Sequence, residues 1–165
     1  MPVNSPTTGN SFYSGDWERN IRPLIKALNI DAGKMNSIDM LSILRQQEQT
    51  DRYIDNELQA LYIVPFVKYK IFNHSSNAFV LTYPGKIAEA ARYHCAGLIL
   101  KTEFQQVESN TNEEVQSYLD YALTILQEIR AFTYRLEGQQ VKPDISLFLP
   151  PTAMPLTRPE PPTFT

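Results

Sequence analysis

Few side chains in this sequence carry chemistry that a catalytic site could use. His94 and Cys95 are adjacent and suggest a thiol–imidazole pair, in which a base activates a sulfur nucleophile. On a helix, neighbouring positions diverge by about 100°, so these two side chains do not meet. His94 therefore reads as a satisfied core or interface histidine, and Cys95 as a small buried hydrophobe. His74 sits among Asn73, Ser75, Ser76 and Asn77 and reads as a turn residue. Glu113, Glu114 and Asp120 offer carboxylates for acid–base work, but Glu113 and Glu114 belong to a helix start, where acids favour the dipole. No nucleophile motif, phosphate-cradling glycine loop or metal spacing accompanies them. The expectation is a protein that is not an enzyme and uses no cofactor or metal.

Two other groups suit binding. Lys68 and Lys70 alternate with Val67, Tyr69 and Ile71, so the lysines share one strand face, with Tyr69 between them in sequence. They suit contact with DNA phosphate or bases, whereas the bland reading is a solvated face whose lysines discourage strand pairing. Val67, Tyr69 and Ile71 read as a core face. The second group is Ile145, Leu147 and Leu149 on one side of an extended segment, with Phe148 opposite. A proline-rich terminus has no use for four large apolar residues unless something covers them, and a partner is favoured over the chain's own domain.

The elements that position these residues follow from periodicity. Residues 1–15 read as an arm, Asp16 as a helix cap, and Ile21, Leu24, Ile25 and Leu28 as a short apolar stripe opened or kinked by Pro23. Ser37 is a candidate cap for a helix carrying Ile38, Leu41 and Leu44, resuming at Ile54, Leu58 and Leu61. Between them Gln46-Gln47-Glu48-Gln49-Thr50-Asp51 interrupts the stripe, so the helix is either exposed midway or broken in two. Pro65 stops it. A β-hairpin follows within about residues 63–83, and its Phe66, Phe72, Phe79 and Tyr83 need a surface, because a two-stranded hairpin is marginal alone. Pro84 opens a helix whose Ala88, Ala91, Cys95 and Ala96 permit close approach, making it the central one. Thr111 and Glu114 can form a capping box for a last helix carrying Val115, Leu119, Ala122, Ile125, Ile129, Phe132 and Leu136 as far as Gly138. At 1.5 Å per residue it spans roughly 39 Å. Beyond it, seven of the 12 prolines fall between Pro143 and Pro162, so the tail cannot be helical.

The fold expected is mainly α: a small helical bundle with a projecting β-hairpin and an extended proline-rich C-terminal tail. Residues 1–36 form an arm with a short helix, 37–138 the core with its hairpin, and 139–165 the tail. A length of 165 residues with 42% hydrophobic residues suits one modest core. The single cysteine excludes an intramolecular disulfide, and no apolar run or leader-like start points to a membrane or to secretion. With 15 basic against 18 acidic residues, the chain does not suit a protein that grips nucleic acid over its whole surface.

The run Tyr53-Ile54-Asp55-Asn56-Glu57-Leu58, then Tyr62-Ile63-Val64-Pro65-Phe66, and then Pro84 to Tyr93 opening an alanine-rich helix, resembles the head-tail connector (adaptor) proteins of tailed bacteriophages. Tyr121-Ala122-Leu123 leading through Ile129 to Gly138 extends the likeness, which covers Ile38 to Gly138. The polar stretch around Gln47 departs from the family, which usually carries apolar or small residues there. The resemblance implies a structural virion protein, made in the bacterial host cytoplasm and residing in the neck between capsid and tail. Such proteins form a homo-oligomeric ring of about twelve copies beneath the portal protein, a heterologous contact that closes on itself. The ring extends the DNA channel, through which the genome passes without sequence-specific binding, and docks a stopper or tail-completion protein. Twelve copies at net charge −3 carry roughly −36, which disfavours DNA sticking where acids line the bore. The likeness also implies that Ile145, Leu147, Phe148 and Leu149 contact the portal. The hairpin residues Phe66, Lys68, Tyr69, Lys70, Phe72 and Phe79 would face the channel, an adjacent subunit or the next ring. A rival reading is a cellular helical adaptor or regulator whose tail is a peptide ligand, with Pro159-Glu160-Pro161-Pro162 as its recognition segment.

Overall fold

The chain's polar middle stretch forms part of one unbroken helix. In the computed structural model, which describes residues 12–26, 32–104 and 111–143, this helix is α3, Met40–Leu58. It follows a π-type turn, Trp17–Ile21, and the short helices α1 (Arg22–Lys26) and α2 (Ala32–Asn36). After it come β1 (Tyr69–Asn73), β2 (Ala78–Thr82), α4 (Gly85–Glu103) and α5 (Thr111–Arg130). The architecture is mainly helical with one antiparallel hairpin, as the periodicity predicts.

The buried stripe of α3 differs from the one read off its leucines. Leu41 is exposed, and the buried positions are Ile43, Gln47, Thr50, Ile54 and Leu58, which recur every three or four residues. The stripe is continuous because Gln47 and Thr50 occupy it. Gln47 Nε2 donates to Ser14 Oγ at 3.0 Å and to the Gly15 carbonyl at 2.8 Å, and Thr50 Oγ1 shares a hydrogen bond of 3.0 Å with His94 Nδ1. Burial without partners would cost each group about 1–3 kcal/mol; with partners, the helix has no reason to break. The cap is Asp39, whose side chain accepts from the Leu41 amide, and not Ser37. The helix also ends at Leu58, well before Pro65, because the chain turns so that Tyr62 enters the core and pairs with Val141.

Helix α4 is the centre of the bundle, with Ile87, Ala90, Ala91, Cys95, Ala96, Ile99 and Leu100 buried against α3, α5 and the N-terminal elements. Gly97 allows α5 closest: a Cβ there would stand 2.8 Å from Leu119 Cδ2. Two apolar clusters result. One gathers Trp17, Ile21, Ile25, Met35 and Ile43 around the C-terminal half of α4. The other gathers Tyr13, Ile54, Leu58, Tyr62 and Phe66 around its N-terminal half, with Ile125, Leu126 and Ile129 of α5. Gln47, Thr50 and His94 are buried on α3 and α4 alongside these clusters.

Helix α5 is shorter than its apolar repeat predicts. It ends at Arg130, and Phe132 (φ 55°) and Gly138 (φ 69°) turn the chain back so that Leu136 is buried from a loop. Positive φ at Phe132 breaks the helix while leaving the spacing of the apolar residues intact. Twenty residues make it about 30 Å long. Part of the predicted arm, Tyr13 and Ser14, is buried in the bundle. At the other end, Ile63 N donates to Gln140 O and Lys142 N to Leu61 O, both at 2.9 Å, so the chain remains attached to the core up to Lys142. Leu28, the side chain of Thr111 in the proposed capping box, and everything beyond Pro143 lie outside the described residues. No helix among the described residues is long and apolar enough to cross a membrane.

Candidate functional site

The hairpin is built to stand out from the bundle. Asn73 Oδ1 accepts from the amides of Ser75 and Ser76, and Asn77 takes φ 52°, so the tip turns on side-chain hydrogen bonds and a left-handed residue. The register pairs Tyr69 with Thr82, Lys70 with Leu81, Ile71 with Val80 and Phe72 with Phe79. Directly paired residues share a face. One face therefore carries Lys70, Phe72, Phe79 and Leu81, and the other Tyr69, Ile71, Val80 and Thr82.

Each face exposes large apolar side chains. Phe79 and Leu81 are 63% and 65% exposed, Val67 59%, Phe72 40% and Ile71 37%. The expectation that Val67, Tyr69 and Ile71 form a core face is overturned: the two strands leave the bundle, and only their base touches it. Phe72 and Phe79 meet edge to face at 5.2 Å, and Lys70 Nζ lies 5.3 Å from the Phe79 ring centre, so the apolar residues near the tip cover one another in part. His74 is exposed at the turn, as expected, with its ring against Phe72.

The other predicted hairpin residues divide. Phe66 belongs to the core, buried against Tyr13 and Tyr62, with its amide donating to Tyr13 Oη at 2.8 Å. It anchors the ribbon and does not project. Lys68 lies over the Tyr83 ring at 5.3 Å. Tyr69 is half-buried; its hydroxyl donates to Glu137, and its Cβ would stand 2.7 Å from any Cβ at position 138, which only glycine avoids. Gln139 fixes the base of the ribbon. Its Oε1 accepts from Val67 N at 3.0 Å and its Nε2 donates to Val67 O at 2.7 Å, so a buried side chain serves the backbone as a strand would. Sequence reading missed Gln139 because its role rests on a contact 72 residues away.

Ile145, Leu147, Phe148 and Leu149, the predicted partner contacts, lie outside the described residues. Two recesses flank the hairpin base. One, about 440 Å³, lies among Tyr69, Lys86, Glu89, Tyr134, Arg135 and Glu137. Its charges are already engaged in part: Lys86 Nζ is 3.3 Å from Glu89, whose other oxygen accepts from Tyr121 Oη at 2.6 Å. The other, about 160 Å³, opens on the lysine face among Tyr13, Asn20, Lys68, Leu81, Tyr83 and Arg92.

Of the residues with catalytic potential, His94 and Cys95 are engaged in packing. His94 stacks on Tyr53 at 4.3 Å, and burial pushes its pKa down to about 4. Cys95 is buried and its thiol is pushed up to about 12, far from a reactive thiolate. Glu113 and Glu114 are in the first turn of α5, and Asp120 accepts from Gln116 Nε2. Asp51 and Asp55 draw in the arm: Tyr13 N lies 3.3 Å from both Asp51 oxygens, and Tyr13 Oη donates to Asp55 Oδ1 at 2.7 Å. Burial raises both carboxyls, Asp51 to about 7. Compared with known protein families, with curated proteins and with solved structures, the chain has no match in any of the three.

Proposed function

We propose that the protein is a head-tail connector of a tailed bacteriophage, a structural subunit that rings the DNA channel beneath the portal. The observation that carries this reading is the hairpin, whose large apolar side chains stand uncovered on both faces of a ribbon bolted to a helical bundle. Exposed apolar surface of this kind marks an interaction site, and a projection from a wall of helices suits contact between ring neighbours or stacked rings. The order of the Ile54 to Phe66 and Pro84 to Tyr93 segments gives the family resemblance independent of that surface. On this reading the chain resides in the virion neck, binds the portal through residues after Gly138, docks a stopper or tail-completion protein, and passes DNA without reading its sequence.

Electron microscopy of the purified protein mixed with portal rings tests it. The expected result is an added ring layer on one face of the portal. Portal particles that remain bare at saturating protein would overturn the reading. The isolated chain is expected to be monomeric and to ring up on the portal template, so a stable dodecamer in analytical ultracentrifugation without portal would remove the templating part.

A further inference from the structure

Among the described residues no strand lies beside the outer edge of β2, and no backbone hydrogen bond reaches Ala78–Thr82 from that side. The matching edge of β1 is occupied at its base by Gln139 and Gly138. We propose that residues 144–149 of a second copy of this chain add to the β2 edge as a third, antiparallel strand. This deepens the connector reading by giving Ile145, Leu147, Phe148 and Leu149 to a neighbouring copy and leaving portal contact to the residues after Leu149, and it rests on that reading only for closure of the contact into a ring.

The match is residue by residue. Running antiparallel to β2 from base to tip, Asp144, Ser146 and Phe148 fall opposite Tyr83, Leu81 and Phe79, while Ile145, Leu147 and Leu149 fall opposite Thr82, Val80 and Ala78. Phe148 then joins the Phe72–Phe79 pair, and Ile145, Leu147 and Leu149 extend the face of Ile71 and Val80. A ribbon with apolar side chains on both faces calls for a third strand with apolar side chains on both faces, and this segment has that pattern. Asp144 comes to the recess of Lys68 and Arg92, where Arg92 Nε is buried without a hydrogen-bond partner. A shift of one residue would put Asp144 and Phe148 on the wrong face.

The donor is another copy because the chain's own segment starts in the wrong place. Residues 140–142 run antiparallel to residues 61–63, away from the hairpin, on the β1 side of the ribbon. Strands lie about 4.8 Å apart, so reaching the outer edge of β2 means crossing about 10 Å. Only one peptide, about 3.8 Å, separates Pro143 from Asp144. Donor segment and acceptor edge are different surfaces, so the contact is heterologous and either closes into a ring or propagates.

Cross-linking between full-length chains tests the register, at a concentration high enough for oxidation to trap contacts between chains that are monomeric when dilute. Chains carrying Ser146→Cys are mixed with chains carrying Leu81→Cys, oxidised, and mapped by mass spectrometry, with buried Cys95 left in place. The expected product is a 146–81 interchain disulfide, at about ten-fold higher yield than with Val80→Cys as acceptor, since that thiol faces the other side. Adding Asp144→Lys to the donor lowers the yield about ten-fold, and Lys68→Glu in the acceptor restores it. Equal yields at positions 80 and 81, no 146–81 product, or a yield indifferent to both charge changes would overturn the proposal. The Asp144→Lys chain mixed with portal separates the two readings. Lost portal binding with unchanged cross-linking overturns the contact between copies and leaves the connector standing. Register-specific cross-linking by a chain that never binds portal upholds the third strand and removes the connector.

Discussion

Thr50 and Gln47 look like defects in an apolar stripe, yet each is a buried group with a partner on another element. Thr50→Val keeps the shape of the side chain and removes its hydrogen bond to His94, which leaves a buried ring nitrogen unsatisfied. A loss of about 1–3 kcal/mol in urea denaturation is expected, and a neutral result would mean that His94 finds another partner. Gly138 is constrained twice, by φ 69° and by Tyr69 Cβ. Gly138→Ala should therefore cost about 2 kcal/mol or more, with the loosening centred on the hairpin base in hydrogen exchange. Stability equal to the parent chain would contradict the close approach. Sequence reading took Gly138 for the stop of the last helix, which ends at Arg130 instead, and missed its contact with Tyr69, because nothing local links residues 69 places apart.

At the scale of elements, the hairpin and α5 make opposite points. Alternation and Asn-rich turn chemistry made the hairpin legible, but they could not tell that both of its faces stay exposed. Alternation records which side chains share a face, not what lies above it. For α5 the apolar period continues through Phe132 and Leu136 although the helix ends at Arg130, since a turn can also bring such residues to the core. The hairpin's exposure yields a separable prediction. Phe72→Ser with Phe79→Ser removes one cross-strand aromatic pair, so the thermal midpoint should move by the equivalent of only about 1 kcal/mol. Portal-templated assembly should fail in the same chain. Collapse of the fold would show that the ribbon supports the bundle, whereas intact assembly would remove the hairpin from the interface.

Over the whole molecule, the buried ionisable groups on α3 and α4 set how stability depends on pH. Asp51 titrates at about 7 in the fold, above its ordinary value of about 3.9, so the folded chain binds this proton more tightly than the unfolded chain. That stabilisation is complete below about pH 3.9 and is lost as pH rises through about 7. His94 runs the other way: its contribution is present above about pH 6.5 and is lost as pH falls through about 4. The two offset each other between about pH 4 and 6.5, and above that range the Asp51 effect remains. Urea midpoints should therefore fall between pH 6.5 and 8, and less so in Asp51→Asn. An undiminished fall in that variant would assign the effect elsewhere, Asp55 being the next carboxyl raised by burial.

The sequence alone determined the helical class, the hairpin and its turn, the central place of α4 and the inert setting of His94 and Cys95, because these follow from periodicity, side-chain size and local geometry. Only the tertiary structure decided that Gln47 and Thr50 are buried, that Tyr13 belongs to the core, that Gln139 pins the ribbon, and that Phe72, Phe79 and Leu81 stay exposed. Each of these depends on which distant segment arrives to offer a hydrogen bond or a surface. Local sequence encodes the demand for a partner, and the fold decides whether the demand is met.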